Sequence, residues 1–589
     1  MSNDVSQQHP AKVTVDQVLQ QAIGHHRAGQ LQDAERLYQS ILHSQPYHPD
    51  ANHNLGVLAV QINQLAAALP YFKAALEANP DIEQFRLSYA SAQCKLGNAQ
   101  LEQGQLDAAM TSYRRAVEIG PDLAEAHCGM GAALKAIGRH DEAVASYRRA
   151  LGLKPDLVEG HNNLGIVLQD LGRVEQAAAS YRHALGIAPD CAQAHSNLGN
   201  AQRDLGQLDQ AVASCQRALV ITPAAPATLN NVGNAQKDRG RLGEAIASFR
   251  KALVINPDFA DASNSLGLAL LLKGHFDEGW KRNESRSDSL LGSRLSTSPR
   301  VIFPKWQGQS LAGKRLLVWY EQGLGDQIQF CRYLSVLRAQ GTEHITLVCS
   351  PSLRSLLKRF NGADEVLTIA EAEDIPRHDY WTFPLSIPLY CATTIESIPA
   401  SIPYMYADAN YLQTSAAQLS GIQEFTVGVC WHGGSAYPKN AERSPGLEPF
   451  KRLFALDCVR FFTLQPNTRD QFLSVAGSTA QDLGHEIDSL TPPFEETAAL
   501  IMNLDLVITC DTSIGHLAGA LGKPVWIVLP FVPDWRWMMD REDSPWYPNT
   551  RLFRQTIRGD WAEVFERVAR RLESVVAGAP IVWPIAATQ

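Results

Sequence analysis

The amino-acid sequence predicts a solenoid of paired helices followed by an α/β region with two parallel sheets. Two observations lead to this prediction. Proline and glycine recur at a fixed spacing through the first half of the chain, and short apolar runs alternate with helical segments after residue 303. One helix pair cannot bury its own apolar face, so repeated pairs must stack on one another. Strands that alternate with helices form a parallel sheet covered by helices on both faces.

The first half has a period of 34 residues, except for one step between Pro80 and Pro121 that places a seven-residue insert near residues 83–89. This pattern resembles the tetratricopeptide repeat, which has two antiparallel helices per unit. The resemblance covers residues 15–286, about eight units, and implies a superhelix whose groove is lined by the first helix of each pair. The recurring residues are Pro46, Pro80, Pro121, Pro155, Pro189, Pro223 and Pro257; Gly104, Gly138, Gly172, Gly206, Gly240 and Gly274; and Tyr113, Tyr147, Tyr181 and Phe249, with Cys215 breaking the last series.

Asparagines share one register of this repeat: Asn54, Asn163, Asn197 and Asn231. Asparagine is a mediocre helix former, so a row of it on helices needs a reason. One interpretation is a solvated groove or hydrogen bonds within the repeats. The other is an amide ladder that binds the backbone of an acceptor polypeptide, as in the O-linked N-acetylglucosamine transferases, which the array resembles.

The composition is that of an ordinary soluble protein, with 45% hydrophobic and 19% charged residues. A net charge of −9 argues against a general nucleic-acid binder. Ten cysteines without a C-x-x-C pair favour a reducing compartment. We see no signal peptide and no apolar run near the ~20 residues that span a bilayer. The protein is therefore expected to be cytoplasmic, with no membrane span.

The expected organisation is a disordered start, a repeat array, a linker and two lobes followed by a tail. Strands are predicted at "RLLVWYE", "HITLVCS", "EVLTIA", "TVGVCW", "RFFTLQ", "DLVITC" and "VWIVLP". The corresponding boundaries are residues 1–14 for the disordered start, 15–286 for the repeats, 287–302 for the linker, 303–415 and 424–575 for the lobes, and 576–589 for the tail.

Several familiar ligand motifs fail in the α/β region. "GQSLAGKR" at Gly308 has Arg315 where a P-loop needs Ser or Thr, and "GLGDQI" at Gly323 lacks the third glycine of a dinucleotide fingerprint. The chain has no H-E-x-x-H and no Asp-x-Asp. The sequence therefore predicts neither a dinucleotide cofactor nor a metal site.

The remaining motifs resemble the heptosyltransferase-like glycosyltransferases (family nine) in their repeat-fused bacterial form, over about residues 279–572. The segments that show the resemblance are "YEQGLGDQIQFCRY", "VGVCWHGGSAYPKNAERS", "LDLVITCDTSIGHLAGALGKPVW" and "PDWRWMMDREDSPWYPNTRLFRQ". The resemblance implies a GT-B fold of two Rossmann-like lobes and inverting transfer from a nucleotide sugar without a metal or other cofactor. The loop after Trp431 departs from the family pattern, with Glu442 in place of an Asp.

Asp326 is the predicted catalytic base, because it lies at the carboxyl end of the first strand and the family assigns the matching Asp that role. Its alternative role is to cap the helix that begins there. The donor nucleotide is expected on the second lobe, where a helix N-terminus suits a diphosphate. The predicted donor-binding residues are Asp511, Thr512, Ser513 and His516, together with Lys439 and Arg443 on the loop after "VGVCW". The alternatives are a satisfied core histidine for His516 and ordinary surface positions for Lys439 and Arg443.

A dense aromatic loop holds Trp535, Arg536, Trp537, Trp546 and Tyr547, and packing between the lobes is the favoured interpretation. The whole sequence predicts a glycosyltransferase that modifies Ser or Thr hydroxyls of a protein held by the repeats. A lipopolysaccharide or other glycan acceptor is one alternative. A non-catalytic repeat scaffold for protein–protein interaction is the other.

Overall fold

The computed structural model describes residues 14–288, 298–321, 323–434 and 440–581. Its contacts divide the chain into two compact units, one ending at Ala224 and the other beginning at Ala225. Within the described residues, no helix combines the length and the apolar character that crossing a bilayer requires.

Paired helices build the whole first unit and the start of the second, as predicted. The extra seven residues of the irregular repeat lie in α5, which has 20 residues where the other first helices have 13. The helices of the first unit are α1 Val15–Arg27, α2 Leu31–Ser44, α3 Pro49–Gln61, α4 Leu65–Ala78, α5 Glu83–Glu102, α6 Leu106–Ile119, α7 Ala124–Ala136, α8 His140–Leu153, α9 Val158–Asp170, α10 Val174–Ile187, α11 Ala192–Asp204 and α12 Leu208–Ile221; those that open the second unit are α13 Pro226–Asp238, α14 Leu242–Ile255, α15 Ala260–Leu272 and α16 Phe276–Asn283.

In most pairs, a glycine on the first helix meets a side chain on the second. A Cβ on Gly131 would lie 2.9 Å from the Tyr147 ring, so only glycine permits this approach. The same contact recurs between Gly97 and Tyr113, Gly165 and Tyr181, Gly199 and Cys215, and Gly233 and Phe249. The bulky series predicted from the sequence therefore fills the gap between the two helices in these pairs.

A second recurring contact, which the sequence analysis missed, ties each first helix to the turn before it. Side-chain nitrogens of Asn52, His127, His161 and His195 lie 2.9 Å from the carbonyl oxygen of the proline six residues earlier. This contact satisfies a carbonyl that the end of a helix leaves without a partner. These side chains hold the joint between successive pairs.

The α/β region contains two all-parallel sheets in its described residues, which matches the predicted GT-B-like fold. The first sheet has the order β3-β2-β1-β4 and the second the order β6-β5-β7-β8-β9. The strands are β1 Arg315–Val318, β2 His344–Cys349, β3 Glu365–Thr368, β4 Tyr380–Thr382, β5 Phe425–Cys430, β6 Val459–Thr463, β7 Leu506–Cys510, β8 Val525–Leu529 and β9 Thr550–Arg554.

Two edge strands were not predicted, and one predicted strand is shorter than expected. β4 has only three residues, and two of the five residues of β9 are Arg551 and Arg554. Neither strand therefore forms an apolar run in the sequence. β1 ends at Val318, and the chain from Trp319 to Glu321 forms a loop. β4 is positioned by pairing with β1, and β9 by pairing with β8.

The helices between the strands cover both sheets. They are α17 Leu324–Phe330, α18 Tyr333–Ala339, α19 Arg354–Lys358, α20 Ile387–Tyr390, α21 Ala409–Gln418, α22 Asn440–Arg443, α23 Lys451–Phe454, α24 Arg469–Ala476, α25 Glu495–Asn503, α26 Ser513–Ala520 and α27 Trp561–Val576. One continuous core joins α15 and α16 to the facing sides of the two sheets. The last repeats and the α/β region therefore fold as one body.

Candidate functional site

The loops that follow β1, β7 and β8 meet in one place. A carboxylate after β1, Asp326, is ion-paired with Arg536, which follows β8. A histidine after β7, His516, lies against Gly325 of the first sheet's loop. In α/β proteins, ligands bind outside the carboxyl ends of parallel strands. This meeting point is therefore the candidate functional site.

The side chain of Asp326 is mostly buried, with 15% of its surface exposed to solvent. One carboxylate oxygen accepts a hydrogen bond of 2.9 Å from the Gly323 amide, and the other pairs with Arg536. Gly323 is the N-cap of α17 and Asp326 stands three residues inside the helix, so the predicted cap role is corrected: its carboxylate binds back to the N-cap amide. Burial raises the pKa of Asp326, whereas the Arg536 guanidinium lowers it.

Arg536 bridges the two lobes. Its guanidinium donates to Gln329 at 2.8 Å and to Asp534 at 2.7 Å, besides pairing with Asp326. It also stacks on Trp535, with its central carbon 4.4 Å from the ring centroid. The sequence analysis grouped this arginine with packing residues, yet it is a buried cation that directly contacts the candidate base.

The helix α26 begins at this site without a side-chain cap. Its N-cap is Thr512, whose hydroxyl lies 3.0 Å from the hydroxyl of Thr509 instead of reaching the helix amides. Ser513 is half-buried in the first turn. The first-turn amides therefore lack a side-chain acceptor, and they carry the positive end of the helix dipole.

His516 stands one turn into α26 with only 5% of its surface exposed. Its Nδ1 lies 3.0 Å from the Tyr547 hydroxyl, and its ring stacks on Trp537 with centroids 5.3 Å apart. Burial and the nearby Arg536 lower its pKa well below the usual value, so the ring is neutral at neutral pH. When the Tyr547 hydroxyl donates to Nδ1, the hydrogen resides on Nε2, on the side of Gly325.

Two further predicted residues affect the electrostatics of this site. Burial and the neighbouring Asp534 raise the pKa of Asp511 to about 6, and Arg443 opposes this rise. Arg443 also donates to Asn440 at 3.3 Å. Lys439 lies outside the described residues. Among the residues that are described, no group of three His, Cys, Asp or Glu side chains is placed to hold a metal ion.

The aromatic loop packs between the lobes, as favoured from the sequence. Trp535, Trp537, Trp546 and Tyr547 are buried in the core that the two sheets share. The sequence analysis did not find Arg332, a buried arginine between the rings of Tyr404 and Tyr547, 4.5 Å from each centroid. Its only signal was a basic residue inside an apolar helical segment.

The repeat asparagines all lie on first helices and are half-buried. Asn197 donates to Asn162 of the preceding repeat at 3.0 Å, which is a contact between repeats. Asn54, Asn163 and Asn231 occupy the same register on α3, α9 and α13.

The comparisons with known proteins agree with these architectures. Tetratricopeptide repeat models match residues 19–81 and 162–226, and a TPR repeat model matches 97–138, 133–172 and 233–274. The model of glycosyltransferase family 9 (heptosyltransferase) matches residues 486–528, which contain α25, β7, α26 and most of β8.

Among curated proteins, the chain is 30% identical to Protein FlbA of Caulobacter vibrioides over 334 residues, 52% of this chain and 54% of that protein. The chain thus spans about half the length of the curated relative it matches. Among solved structures, TTC0263, a thermophilic TPR protein of Thermus thermophilus, shows 26% identity and a TM-score of 0.28, covering 31% of this chain and 99% of that one. Pseudomonas aeruginosa pilF shows 19% identity and a TM-score of 0.32, covering 36% and 97%.

Fold and site together define the class: a helical repeat array joined to an α/β region of two parallel sheets with a site where the sheets meet. The family matches make this specific. Much of the helical array matches tetratricopeptide repeat models, and residues 486–528 of the α/β region match the model of glycosyltransferase family 9.

Replacing Gly325 by Ala is expected to separate the two halves of this site. The new Cβ would lie 2.7 Å from Cδ2 of His516, so α17 must move away at a cost of about 1–3 kcal/mol. For the nucleotide-sugar chemistry proposed below, donor hydrolysis should fall about 5- to 150-fold, since about 1.4 kcal/mol corresponds to a factor of ten. Gly243→Ala is the control, because no atom of the described residues lies within 4 Å of its Cβ. Equal rates for both variants would contradict close contact at Gly325.

Proposed function

We propose that this protein is an inverting, metal-independent glycosyltransferase that moves a sugar from a nucleotide sugar to Ser or Thr hydroxyls of a protein held by the repeats. One observation carries the proposal. The Asp326 carboxylate of the first lobe is ion-paired with Arg536 of the second lobe, and the adjacent Gly325 lies against His516 of α26, whose start has no side-chain cap. The proximity of a candidate base on one lobe to a cation and a helix start on the other supports the proposal.

The proposed reaction uses these groups in a single displacement. Asp326 takes the proton of the acceptor hydroxyl as its oxygen attacks the anomeric carbon. The bond from that carbon to the diphosphate breaks, and the configuration inverts because attack occurs opposite the leaving group. The first-turn amides of α26, the Nε2–H of His516 and the Arg443 guanidinium stabilise the departing nucleoside diphosphate.

A protein acceptor is proposed because the catalytic region is preceded by an array of a kind that binds polypeptides. Side-chain amides can both donate to and accept from a peptide backbone, whatever the side chains of that peptide are. Asn54 and Asn163 are half-exposed on first helices, which suits this role. The altered loop after Trp431 bears on donor choice.

The proposal is tested by incubating the purified chain with a panel of nucleotide sugars, with and without candidate protein acceptors. Release of nucleoside diphosphate and a matching mass increase on Ser or Thr are expected, with the opposite anomeric configuration in the product. Full activity in excess chelator is also expected. Transfer only to a glycan would favour the lipopolysaccharide-type acceptor, and no turnover of any donor would favour the scaffold.

Replacing Asn54, Asn163 and Asn197 together by Ala should impair transfer to protein but spare donor hydrolysis. Each lost contact costs roughly 0.5–1.5 kcal/mol net, so the sum corresponds to roughly tenfold to a thousandfold weaker acceptor binding. Alanine favours helix, which offsets the loss of the Asn197–Asn162 hydrogen bond, so the melting temperature should stay near that of wild type. Acceptor KM, hydrolysis and melting are measured side by side.

The matched control is Asn52→Ala, since Asn52 is buried and donates to the Pro46 carbonyl. This variant should melt earlier while its acceptor KM stays near wild type. An unchanged acceptor KM in the triple variant would show that the groove recognises its partner through other residues. Early melting of the triple variant would assign the row a structural role.

A further inference from the structure

The end of the repeat array is built into the catalytic region. Trp280 of α16 donates through its indole N–H to the Thr393 carbonyl at 3.1 Å, and its ring meets the ring of Trp535 edge-on at 5.2 Å. After α16 the chain forms a short 3-10 helix, Glu284–Ser287. This last turn of the array carries Arg286 into the interior of the α/β region.

Arg286 and Glu321 form a fully buried ion pair. Their side chains are 4% and 1% exposed. The guanidinium binds the carboxylate through two parallel hydrogen bonds, 2.7 Å from Nε to Oε1 and 3.0 Å from Nη2 to Oε2. It also donates to Glu284 at 2.7 Å and to the Ser386 hydroxyl at 2.9 Å. A paired guanidinium with this many partners holds the carboxylate in one orientation.

Glu321 belongs to the loop that presents the candidate base. Glu321 lies three residues after the end of β1 at Val318 and two residues before the N-cap Gly323, whose amide binds the Asp326 carboxylate. Anchoring Glu321 therefore restricts the segment from which Asp326 is placed. The residue that anchors Glu321 is Arg286, which belongs to the last turn of the repeats.

A buried ion pair contributes little net stability, because desolvation of the two charges offsets their attraction. Apolar residues of similar size in both positions are often as stable or more so. The directional pair is thus better explained by the conformation it imposes on the loop than by the stability of the fold.

We propose that Arg286 is a positioning residue for the catalytic loop and acts on Asp326 through Glu321. The repeat array then contributes to the transferase site itself besides holding an acceptor. The kinetic part of this proposal rests on the proposed function. The part that concerns the placement of the loop does not rest on the proposed function.

The test compares wild type with the double variant Arg286→Met/Glu321→Leu, which removes both charges of the pair together. Glu284 keeps its contacts with Lys305 and the Ser386 hydroxyl. Lys305→Met is the matched control, because Lys305 pairs with Glu284 at 3.3 Å in the same network but does not contact Glu321. Hydrogen exchange is followed by mass spectrometry over residues 319–327 and 506–520. Donor hydrolysis, melting, and binding of UDP and GDP, each alone, are measured on the same samples.

The double variant is expected to melt near wild type and to exchange at least tenfold faster over 319–327, with 506–520 unchanged. Its kcat for donor hydrolysis should fall at least tenfold, while the Kd for the bound diphosphate stays within twofold. Lys305→Met should match wild type throughout. Unchanged exchange over 319–327, or an equal rise in 506–520, would overturn the proposal, as would full kcat with a loosened loop. Absence of hydrolysis in wild type would count against the proposed function alone, and the exchange result would still decide the role of Arg286.

Discussion

Asp326→Asn is expected to lower the rate of sugar transfer by about 10²–10⁴-fold, the usual contribution of a positioned general base. The amide cannot take the proton of the acceptor hydroxyl. Binding of the nucleoside diphosphate should survive, because the groups proposed to hold it lie on the second lobe, at α26 and Arg443. Transfer kinetics and calorimetry of diphosphate binding check the two halves of this prediction.

Asp364→Asn is the matched control for this experiment. Asp364 also pairs with an arginine, Arg338, and accepts a hydrogen bond of 2.7 Å from a backbone amide, that of Ile345. It lies at the amino ends of β2 and β3, at the opposite edge of the sheet. Its variant should keep the wild-type rate within about twofold, since loss of a half-exposed ion pair costs only ~1 kcal/mol or less of stability. Full transfer activity in Asp326→Asn would end the role of Asp326 as the base.

Arg536→Met is expected to reduce transfer at pH 7 at least ~10-fold and to change its pH dependence. Burial raises the pKa of Asp326 and Arg536 lowers it. Without the guanidinium the pKa rises further, so the base stays protonated to higher pH. Each unit of such a shift corresponds to about 1.4 kcal/mol. The acidic limb of the pH–rate profile should therefore move to higher pH, and raising the pH should restore part of the activity.

The control for this profile is Arg332→Met. Arg332 is equally buried and joins the lobes by donating to the Trp546 carbonyl at 2.6 Å, but it has no hydrogen bond to Asp326. Its loss should weaken lobe packing and lower the rate without moving the acidic limb. If the limb stays in place in Arg536→Met as well, the pairing with Asp326 does not control the protonation of the base.

Much of the fold follows from local patterns in the chain. The bulky-residue register of the repeats corresponds to direct contacts between neighbouring helices, as at Gly165 and Tyr181. The glycine register instead takes positive φ in the turn between the two helices of a pair, as at Gly172. The apolar runs that became β2, β5, β7 and β8 are buried along nearly their whole length. β4 and β9 were not predicted, because an edge strand is recognised by the strand with which it pairs. In addition, Tyr380–Thr382 is too short to show a pattern of its own.

The site was predicted in part. A carboxylate after a strand and a Thr-Ser helix start are visible in sequence, so Asp326, Thr512 and His516 could be chosen as candidates. The residues that these candidates contact could not be chosen from the sequence. Arg536 lies 210 residues from Asp326 along the chain, and Tyr547 stands 31 residues from His516.

The sequence by itself determined the two architectures and their order, because helix pairing and strand burial depend on residues close together in the chain. Only the tertiary structure decided that Arg536 pairs with Asp326, that Gly325 must be small to face His516, and that Arg286 reaches Glu321. These contacts join elements of different lobes or of the repeats and the α/β region. Their geometry depends on how the whole core packs, which no local pattern encodes.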